Sequence, residues 1–494
     1  MYTFSMKFAD SLLNKLTMYQ LVLYGLIVLA AYSLVLSFFG VLSYSILSLI
    51  VSLSVVLISC FITNFLFARI FHITPNKESY LITALILFLV LLPPRNIQEY
   101  LLLSLVSIIA ISSKYLLVVN KQHLFNPAAV GLTVGSFLGA GAIWWVGSSW
   151  FLLPVLILGF LILKKVAKMK MFLVFFLSAI FSLFLFGYFK TNAVDAFILL
   201  FTSWPILFLG LVMLTEPATT PTTLKTQSVY AGIVGFLSGV LYPLGVFTMT
   251  PEAALLIGNV YSYLVKPKYR LDLQLKNVYK LSEDLYEFAF DMPKNFTFIP
   301  GQYMEWTAAH KKMDSRGNRR YFSLASSPTE NTIQLAFRQY EKSSSFKKSL
   351  VEKTVVGNLI ASHLSGDFIL PKNPQYPLAF IAGGIGITPF RSMLKYLTDK
   401  NLQSDIVLLY LVKKKEDIVF QDVFQEAEKI GLKVIPIIGT YHLTEADIQK
   451  YIPDFKKRVF YVSGPQPMVQ GLTSTLKSLK VKGIKTDFFP GYDA

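Results

Sequence analysis

Cysteine is almost absent from this 494-residue chain: there is one, Cys60, inside an apolar run. A single thiol forms no intrachain disulfide and cannot hold an iron–sulfur cluster, which takes about four thiolates; no such cluster is expected. Histidine is scarce too, with five residues, of which His72 and His123 fall in the first half. Two stacked haems need about four histidines on spanning helices. That arrangement is excluded, which leaves one haem on His72 and His123 as the haem alternative. Charge is thin, at 15% of residues, against about 25% in a soluble domain. The thinness is local: residues 1–265 hold 13 basic and 6 acidic side chains, and the last 229 hold 33 and 23. A purely soluble protein, a disordered chain and a collagen-like repeat are all excluded. No internal repeat, low-complexity stretch or cleavable signal peptide is evident.

What is present is apolar: 54% of residues, with a mean hydropathy of +0.53. A membrane-spanning helix needs about 20 mostly apolar residues. Ten candidates are read, at 19–40, 43–68, 79–93, 99–118, 127–146, 150–163, 171–188, 194–214, 228–247 and 252–265. Lysines 164, 165, 168 and 170 mark the loop after the sixth as cytoplasmic. With that loop inside, Lys7, Lys15, Arg69, Lys77, Lys114, Lys121 and Lys225 also fall inside, and only Arg95 and Lys190 fall outside. Both termini are then cytoplasmic in a multi-pass protein of the cell membrane. The net charge of +17 comes without a basic stripe carrying interleaved aromatics. It reads as loop charge beside anionic lipid, not as a nucleic-acid surface.

Two inside loops combine proline with hydrogen-bonding groups, His123–Ala129 and Thr215–Thr223. Asn126 before Pro127 reads as an N-cap with proline at the first helical position. Within the spans the polar residues are few: Asn64, Ser112, Ser113, Asp195 and Glu216. Asp195 opens a span at the outer face and reads as a cap.

From Tyr269 the pattern becomes short alternating strands, at Arg270–Leu275, Leu285–Asp291, Tyr303–Thr307 and Thr332–Arg338, predicting an antiparallel sheet or barrel. From Pro377 strands and helices alternate, which predicts a parallel α/β sheet. Its strands are Leu378–Ile381, Ile406–Val412, Lys433–Ile438 and Phe460–Val462. Its helices lie near Pro389–Lys400, Asp422–Ile430 and Pro467–Leu479.

Four stretches there carry chemistry. Ile381–Phe390 is a glycine turn between strand and helix, where a helix N-terminus offers N–H groups to a phosphate. In Arg320–Pro328, an arginine beside aromatics and hydroxyls suits a flat ring with a phosphate tail. Ser343–Leu350 reads as a serine-capped helix start. Tyr461–Met468 is a strand ending in a Gly-Pro turn.

In this order the four resemble the ferredoxin–NADP reductase family, over Tyr269–Ala494. The resemblance implies a flavin-binding β-barrel domain, 269–372, followed by an NAD(P)-binding α/β domain, 373–494. Arg320, Tyr321 and Ser323 match the R-x-Y-S flavin motif, with Phe322 inside it; the ring is expected to stack on Tyr321, with Arg320 on the pyrophosphate. Ser344 and Ser345 match the second pyrophosphate stretch. Gly366 and Phe368 match part of G-P-x-G-x-F. Gly383, Gly384, Gly386, Thr388 and Pro389 match G-G-x-G-x-T-P. Gly464, Pro465 and Met468 match C-G-P-x-x-M, with Ser463 in the place of its cysteine near the nicotinamide. Phe489 in the C-terminal aromatic stretch is expected near the flavin. The implied catalytic residues are Ser323, Ser463 and Phe489. The implied cofactors are FAD, or FMN in its place, and NADH or NADPH. Lys413–Lys415 favour a 2′-phosphate and the following Glu416 and Asp417 oppose one.

Residues 20–265, within a first domain of 1–268, resemble the NqrB/RnfD membrane subunits of redox complexes, through Phe125–Ala129 and Thr215–Pro217. By that likeness Asn126 and Glu216 line a second, non-covalent flavin or a quinone. The family's S/T-G-A-T attachment motif for covalent FMN is missing, and Glu216 replaces its usual aspartate. The resemblances together imply a membrane NAD(P)H oxidoreductase, passing electrons through FAD to a membrane-domain carrier. The final acceptor would be a quinone or an extracytoplasmic species, with partner redox subunits among the expected partners. The alternatives are a redox-driven ion or small-molecule transporter and a membrane-anchored flavin reductase.

Overall fold

The computed structural model describes residues 16–71, 77–119, 122–187, 198, 205–239, 242–244, 247–266, 269–311, 313–314, 317–341, 343–371, 373, 375–439 and 442–487. His72, Asp195 and Phe489 lie outside them. The chain divides into two compact units, Met1–Lys266 and Pro267–Ala494.

The first unit is helical: α1 Met18–Phe38, α2 Ile46–Ile70, α3 Lys77–Val90, α4 Ile97–Leu116, α5 Pro127–Phe137, α6 Leu152–Val166, α7 Met169–Ser182, α8 Ile206–Phe208, α9 Leu224–Ser238 and α10 Pro251–Val265. Side-chain oxygens of Thr17, Ser45, Asn96, Asn126, Thr223 and Thr250 cap α1, α2, α4, α5, α9 and α10, satisfying backbone N–H groups that have no partner inside the helix. Among the described residues five helical stretches are long and apolar enough to cross a membrane: Met18–Phe38, Ile46–Ile70, Ile97–Leu116, Ser149–Val166 and Met169–Phe186. They are apolar on the packed side, where Leu26, Val56, Val106 and Phe175 are fully enclosed, and on the open side, where Val28, Ile58, Leu101 and Leu177 are exposed. A helix apolar all round belongs in a lipid-like surrounding.

The remaining candidates differ from the reading of ten full spans. The fifth stops at Phe137, not 146, because Gly139 enters the left-handed region at φ +91° and Ala140 N–H turns back to the Gly135 carbonyl; such a glycine ends a helix at no steric cost. The following segment folds back, with the amides of Ile143 and Trp144 on the Val90 carbonyl and the Trp145 indole on that of Leu91. The ninth starts four residues earlier, ends at Ser238 and gives way to a short ladder between Tyr242–Leu244 and Phe247–Met249. Of the eighth, the described part is α8 and a wide helical turn at Leu209–Met213.

The second unit begins with β1 Arg270–Leu273, β2 Leu275–Lys280, β3 Leu285–Asp291, β4 Tyr303–Thr307, β5 Arg319–Ser323, β6 Thr332–Arg338, α11 Ser345–Val351 and β7 Leu359–Ser365. The expected barrel is two antiparallel sheets, ordered β6-β3-β2 and β1-β7-β4-β5. Closure between β5 and β6 is interrupted where Ser323–Ser327 leaves the strand. Ala325 N–H reaches the Gln334 carbonyl, but the Gln334 amide is taken by the Ser326 hydroxyl. The sheets enclose Phe288, Phe290, Met304, Trp306, Leu335 and Phe337.

The rest is β8 Leu378–Gly383, α12 Thr388–Asp399, β9 Ile406–Val412, α13 Gln421–Glu428, β10 Leu432–Ile438, α14 Glu445–Tyr451, β11 Val459–Ser463, α15 Gln466–Ser478 and β12 Ile484–Asp487. Its five strands are all parallel in the order β10-β9-β8-β11-β12. Both faces of β9 are buried, which is why Ile406–Val412 reads as one unbroken apolar run. Arg391 of α12 pairs with Glu330, and its guanidinium also donates to the Ala325 carbonyl at 3.1 Å. Arg338 of β6 pairs with Asp417 at 2.8 Å. These buried pairs fix the two-sheet layer against the parallel sheet inside one unit.

Candidate active site

In an open parallel sheet, ligands bind outside the carboxyl ends of the strands, at the point where strand order reverses. Here the reversal lies between β8 and β11. Gly383 ends the first and Ser463 the second, and Ser463 lies beside Ala382 on one side and Asp487 on the other. The two glycine motifs meet there. A Cβ on Gly386 would lie 2.4 Å from the Ser463 carbonyl oxygen and 2.6 Å from the Gly464 nitrogen. One on Gly383 would lie 2.4 Å from the Met468 sulfur. These two glycines thus let one turn seat on the other, with Thr388 and Pro389 opening α12 immediately behind. Gly386→Ala is expected to force the turns apart, at about 1–3 kcal/mol of stability with a raised KM for the nucleotide that the glycine motif is expected to receive; thermal melting and initial rates check it. A variant with unchanged Tm and KM would remove the seating role.

Strand alternation sorts the β5 residues. Arg320 and Phe322 share one face and Tyr321 and Ser323 the other. Arg320 is enclosed, with its guanidinium 5.7 Å from the Phe346 ring centre, and Phe322 stacks on Phe337 at 5.6 Å. The aromatic that shares a face with Arg320 is therefore Phe322. Tyr321 instead donates to Glu305 Oε2 at 2.7 Å and meets Tyr303 edge-on.

Arg320 donates to the Arg319 carbonyl at 2.6 Å and the Gly317 carbonyl at 3.2 Å, and forms an ion pair with Asp314 at 3.5 Å. The other oxygen of Asp314 accepts the Ser345 amide at 2.9 Å, and the Asp314 amide donates back to Ser345 Oγ at 2.9 Å. His310 Nε2 lies 2.9 Å from the same hydroxyl. Ser344 caps α11. Arg320 and the serine turn thus already hold an oxyanion, a donor set that suits a diphosphate.

On the opposite face of β5, Ser323 Oγ donates to Asp487 Oδ2 at 3.0 Å. Burial pushes the Asp487 carboxyl up to about 7, against the opposing pull of that hydrogen bond. Tyr303 is pushed up to about 12 by burial, with the negative charges of Asp487 and Asp367 adding to it. Gly366, at φ +124°, seats against Gln302 and Tyr303, and Phe368 packs on Phe390 and Tyr461. Asp487, Asp314 and His310 were not singled out in the sequence. β12 is four residues long with a lysine in it, and the loop before β5 matches no motif. Lys413–Glu416 are exposed after β9, and Asp417 is committed to Arg338.

In the helical unit the two proline loops meet. Asn126 Nδ2 donates to Glu216 Oε2 at 2.9 Å, Thr219 Oγ1 to the same oxygen at 3.1 Å, and His123 Nε2 lies 3.4 Å from Oε1. The Asn126 amide donates to Asn259 Oδ1, and Asn259 Nδ2 to the Tyr230 hydroxyl. The amino group of Lys168 binds the Thr215 carbonyl, and that of Lys266 the Pro217 and Ala218 carbonyls. The N-cap reading of Asn126 holds as well, since its Oδ1 accepts the Ala129 amide.

Residues 380–473 match the family described as the oxidoreductase NAD-binding domain. The gamma subunit of sulfhydrogenase 2 from Pyrococcus furiosus is 32% identical over 176 residues, covering 34% of this chain and 58% of its own. The flavohemoprotein of Oceanobacillus iheyensis is 26% identical over 204 residues, covering 37% and 49%. The chain thus spans about half the length of the curated relatives it matches. Among solved structures, a ferredoxin NADP+ reductase from Neisseria gonorrhoeae with bound FAD and NADP aligns at 16% identity and a TM-score of 0.38, over 44% of this chain and 98% of that one.

Proposed function

With an oxidoreductase NAD-binding domain at 380–473 as premise, we propose that the chain is a membrane-bound NAD(P)H-dependent flavoprotein oxidoreductase. The observation that supports this most is the meeting of four segments at one sheet edge: the Gly383–Gly386 turn, the Ser463–Met468 turn, Ser323 and Asp487. The relatives named above include a sulfhydrogenase subunit and a flavohemoprotein. The nucleotide domain takes residues 373–494 and the flavin domain 269–372.

FAD, when bound, supplies the exchange between a two-electron donor and one-electron acceptors. The chain's own residues do the positioning. Arg320 and the Ser344–Ser345 turn bind the diphosphate, Phe322 packs against the ring, and the Gly383–Gly386 turn with Thr388 receives NADH or NADPH. Ser323 orients its hydroxyl through Asp487, which holds or releases a proton at Oδ2 near neutral pH. Ser463 occupies the end of the neighbouring strand.

Residues 1–268 form the membrane domain. We read ten passes, both termini cytoplasmic, with the short helices α3, α5, α8, α9 and α10 completing the bundle of the five long ones. A second carrier, a non-covalent flavin or a quinone, is received by the Asn126–Glu216 cluster, whose amide, carboxylate and imidazole suit the edge of a ring bearing carbonyls. Electrons then leave to a quinone or an extracytoplasmic acceptor, through partner redox subunits where these exist. A haem on His123 fits less well, because its Nε2 faces Glu216.

The test is the absorbance spectrum of the chain purified in mild detergent, followed by acid precipitation and quantification of released flavin. Two flavins per chain, no haem band and oxidation of NADH or NADPH are expected. One flavin would turn the helical cluster over to quinone alone, and a haem band would overturn the reading of the membrane domain. A second reading, a redox-driven transporter, is favoured by one feature the relay does not use: the buried carboxylate of Glu252.

A further inference from the structure

The helical unit carries an internal repeat that the sequence conceals. The ladder Val118–Val119 with Gln122–His123 joins α4 to α5, and that of Tyr242–Leu244 with Phe247–Met249 joins α9 to α10. Asn126-Pro127 caps and opens α5, and Thr250-Pro251 does the same for α10, 124 residues later. Pro93 follows α3 and Pro217 follows α8 at the same offset. Helices α1–α5 therefore correspond to α6–α10. The halves are inverted, because α5 and α10 lie antiparallel: the first residues of α5 meet Asn259 late in α10, and Ser136 near the end of α5 meets Glu252 at the start of α10. At 11 and 15 residues the two helices are about 16 and 22 Å long, shorter than a bilayer core of about 30 Å.

Each end of this crossed pair holds one carboxylate, partly buried at Glu216 and buried at Glu252. Glu216 lies at the α5 N-cap, as described. Glu252 lies in the first turn of α10, 1% exposed, its Oε2 accepting from the Trp144 indole at 3.3 Å and its Oε1 3.5 Å from Ser136 Oγ. Polar groups lie along both helices of the seam. Thr133 and Ser136 share a face of α5, and Glu252, Asn259 and Ser262 share a face of α10. The hydroxyls of Thr133 and Ser262 are buried and among the described residues have no protein partner, which leaves each able to donate and accept toward a transient ligand.

We propose that Glu252 is a proton-exchange site and that the α5–α10 seam is a proton path between the two ends of the helical unit. The inference rests on the membrane reading of that unit and names the ligand of its transport version. A proton suits the site better than a metal cation does. The side-chain groups found on the Glu252 oxygens, the Trp144 N–H and the Ser136 hydroxyl, are donors, whereas a hard cation wants several further oxygens. The step is simple and balanced: the carboxylate gains one proton to become a carboxylic acid and later returns it. Among the described residues the groups facing Glu252 are uncharged, being Ser136, Trp144 and its own cap Thr250. Lys225, the charged residue of packed α9, is exposed in that helix's first turn. Ionisable groups inside a membrane domain are costly and mark ion or proton routes, and inverted repeats with short helices are the usual frame for one.

The test is infrared difference spectroscopy of the purified full chain during a pH step, with no nucleotide present. A protonated-carboxyl band that shifts in deuterium oxide is expected in the wild type. In the Asp487→Asn background, which removes the other carboxyl expected to titrate near pH 7, it should vanish on Glu252→Gln and move, without vanishing, on Glu252→Asp. A band unchanged in Glu252→Gln, or absent from the wild type, overturns the proposal. NADH oxidation with ferricyanide, measured on the same samples, separates the two readings. Its loss with the band intact counts against the oxidoreductase assignment, and an intact rate with no Glu252 band counts against the proton site. In vesicles holding a pH dye, Glu252→Gln should slow proton equilibration at least tenfold, and an unchanged rate overturns the path.

Discussion

Arg320→Ala is expected to yield a chain that purifies without flavin and oxidises NADH at a background rate. The guanidinium is fully enclosed, and it is held on two carbonyls, Asp314 and the face of Phe346. Removing the guanidinium forfeits its charge-assisted hydrogen bonds to a bound diphosphate, worth about 1.5–3 kcal/mol each. At about 1.4 kcal/mol per tenfold, flavin affinity should fall by roughly two to three orders of magnitude. Arg320→Lys should recover only part of this, since an ammonium keeps the charge but not the planar fork that serves several acceptors together. Flavin-to-protein ratio after gel filtration and fluorescence titration of added flavin check both variants. Hydrogen exchange in β8 and β9 verifies that the parallel sheet is intact. A flavin content equal to wild type in Arg320→Ala would move the diphosphate away from the α11 end of the two-sheet layer.

Much of the second unit is legible in the sequence for physical reasons. β3, β4, β6 and β9 match the expected strands residue for residue, because alternation marks a half-buried strand and an unbroken apolar run marks a fully buried one. β2, β7 and β12 escaped. Leu275–Lys280 and Ile484–Asp487 carry lysines on short edge strands, and His363 in β7 takes a positive φ that interrupts its pairing. The motif around Arg320 was legible as chemistry but not as geometry. Only the pleat reveals that Arg320 and Phe322 share a face while Tyr321 and Ser323 look the other way. In the helical unit hydropathy located the elements but overstated the lengths of the fifth and the ninth. A window of apolar residues runs through Gly139 without registering that the helix has ended there. The repeat was hidden because its two halves agree in caps, prolines and ladders, not in side chains. Only the backbone ladders make the offset visible. Glu252 was not singled out in the sequence, where nothing shows that Trp144 folds back onto it.

The second large effect is a dependence on pH that Asp487→Asn should abolish. Burial raises this carboxyl from 3.8 to about 7 in the folded chain. The folded state therefore holds the proton more tightly than the unfolded one. The associated stability is complete below about pH 4, declines as pH rises, and is lost above about pH 7. Over roughly three pH units this is on the order of 4 kcal/mol, concentrated where β12 joins β11 and Ser323. Asparagine cannot ionise and still accepts from the Ser323 hydroxyl through its amide oxygen. The ratio of β12 amide protection between Asp487→Asn and wild type should accordingly rise on the order of a hundredfold from pH 4.5 to pH 8, in full-length protein, with intrinsic exchange rates cancelling in the ratio. A flat ratio would mean that the carboxylate stays solvated. The same titration should appear in turnover. Wild-type NADH oxidation should bend near pH 7, where Asp487 Oδ2 changes from sharing a proton to purely accepting one from Ser323, and Asp487→Asn should lose the bend. Ser323→Ala removes the hydrogen bond that favours the carboxylate, so its bend should move to higher pH. A bend that survives in Asp487→Asn would assign it to another group and leave the Ser323–Asp487 contact as a joint between β5 and β12.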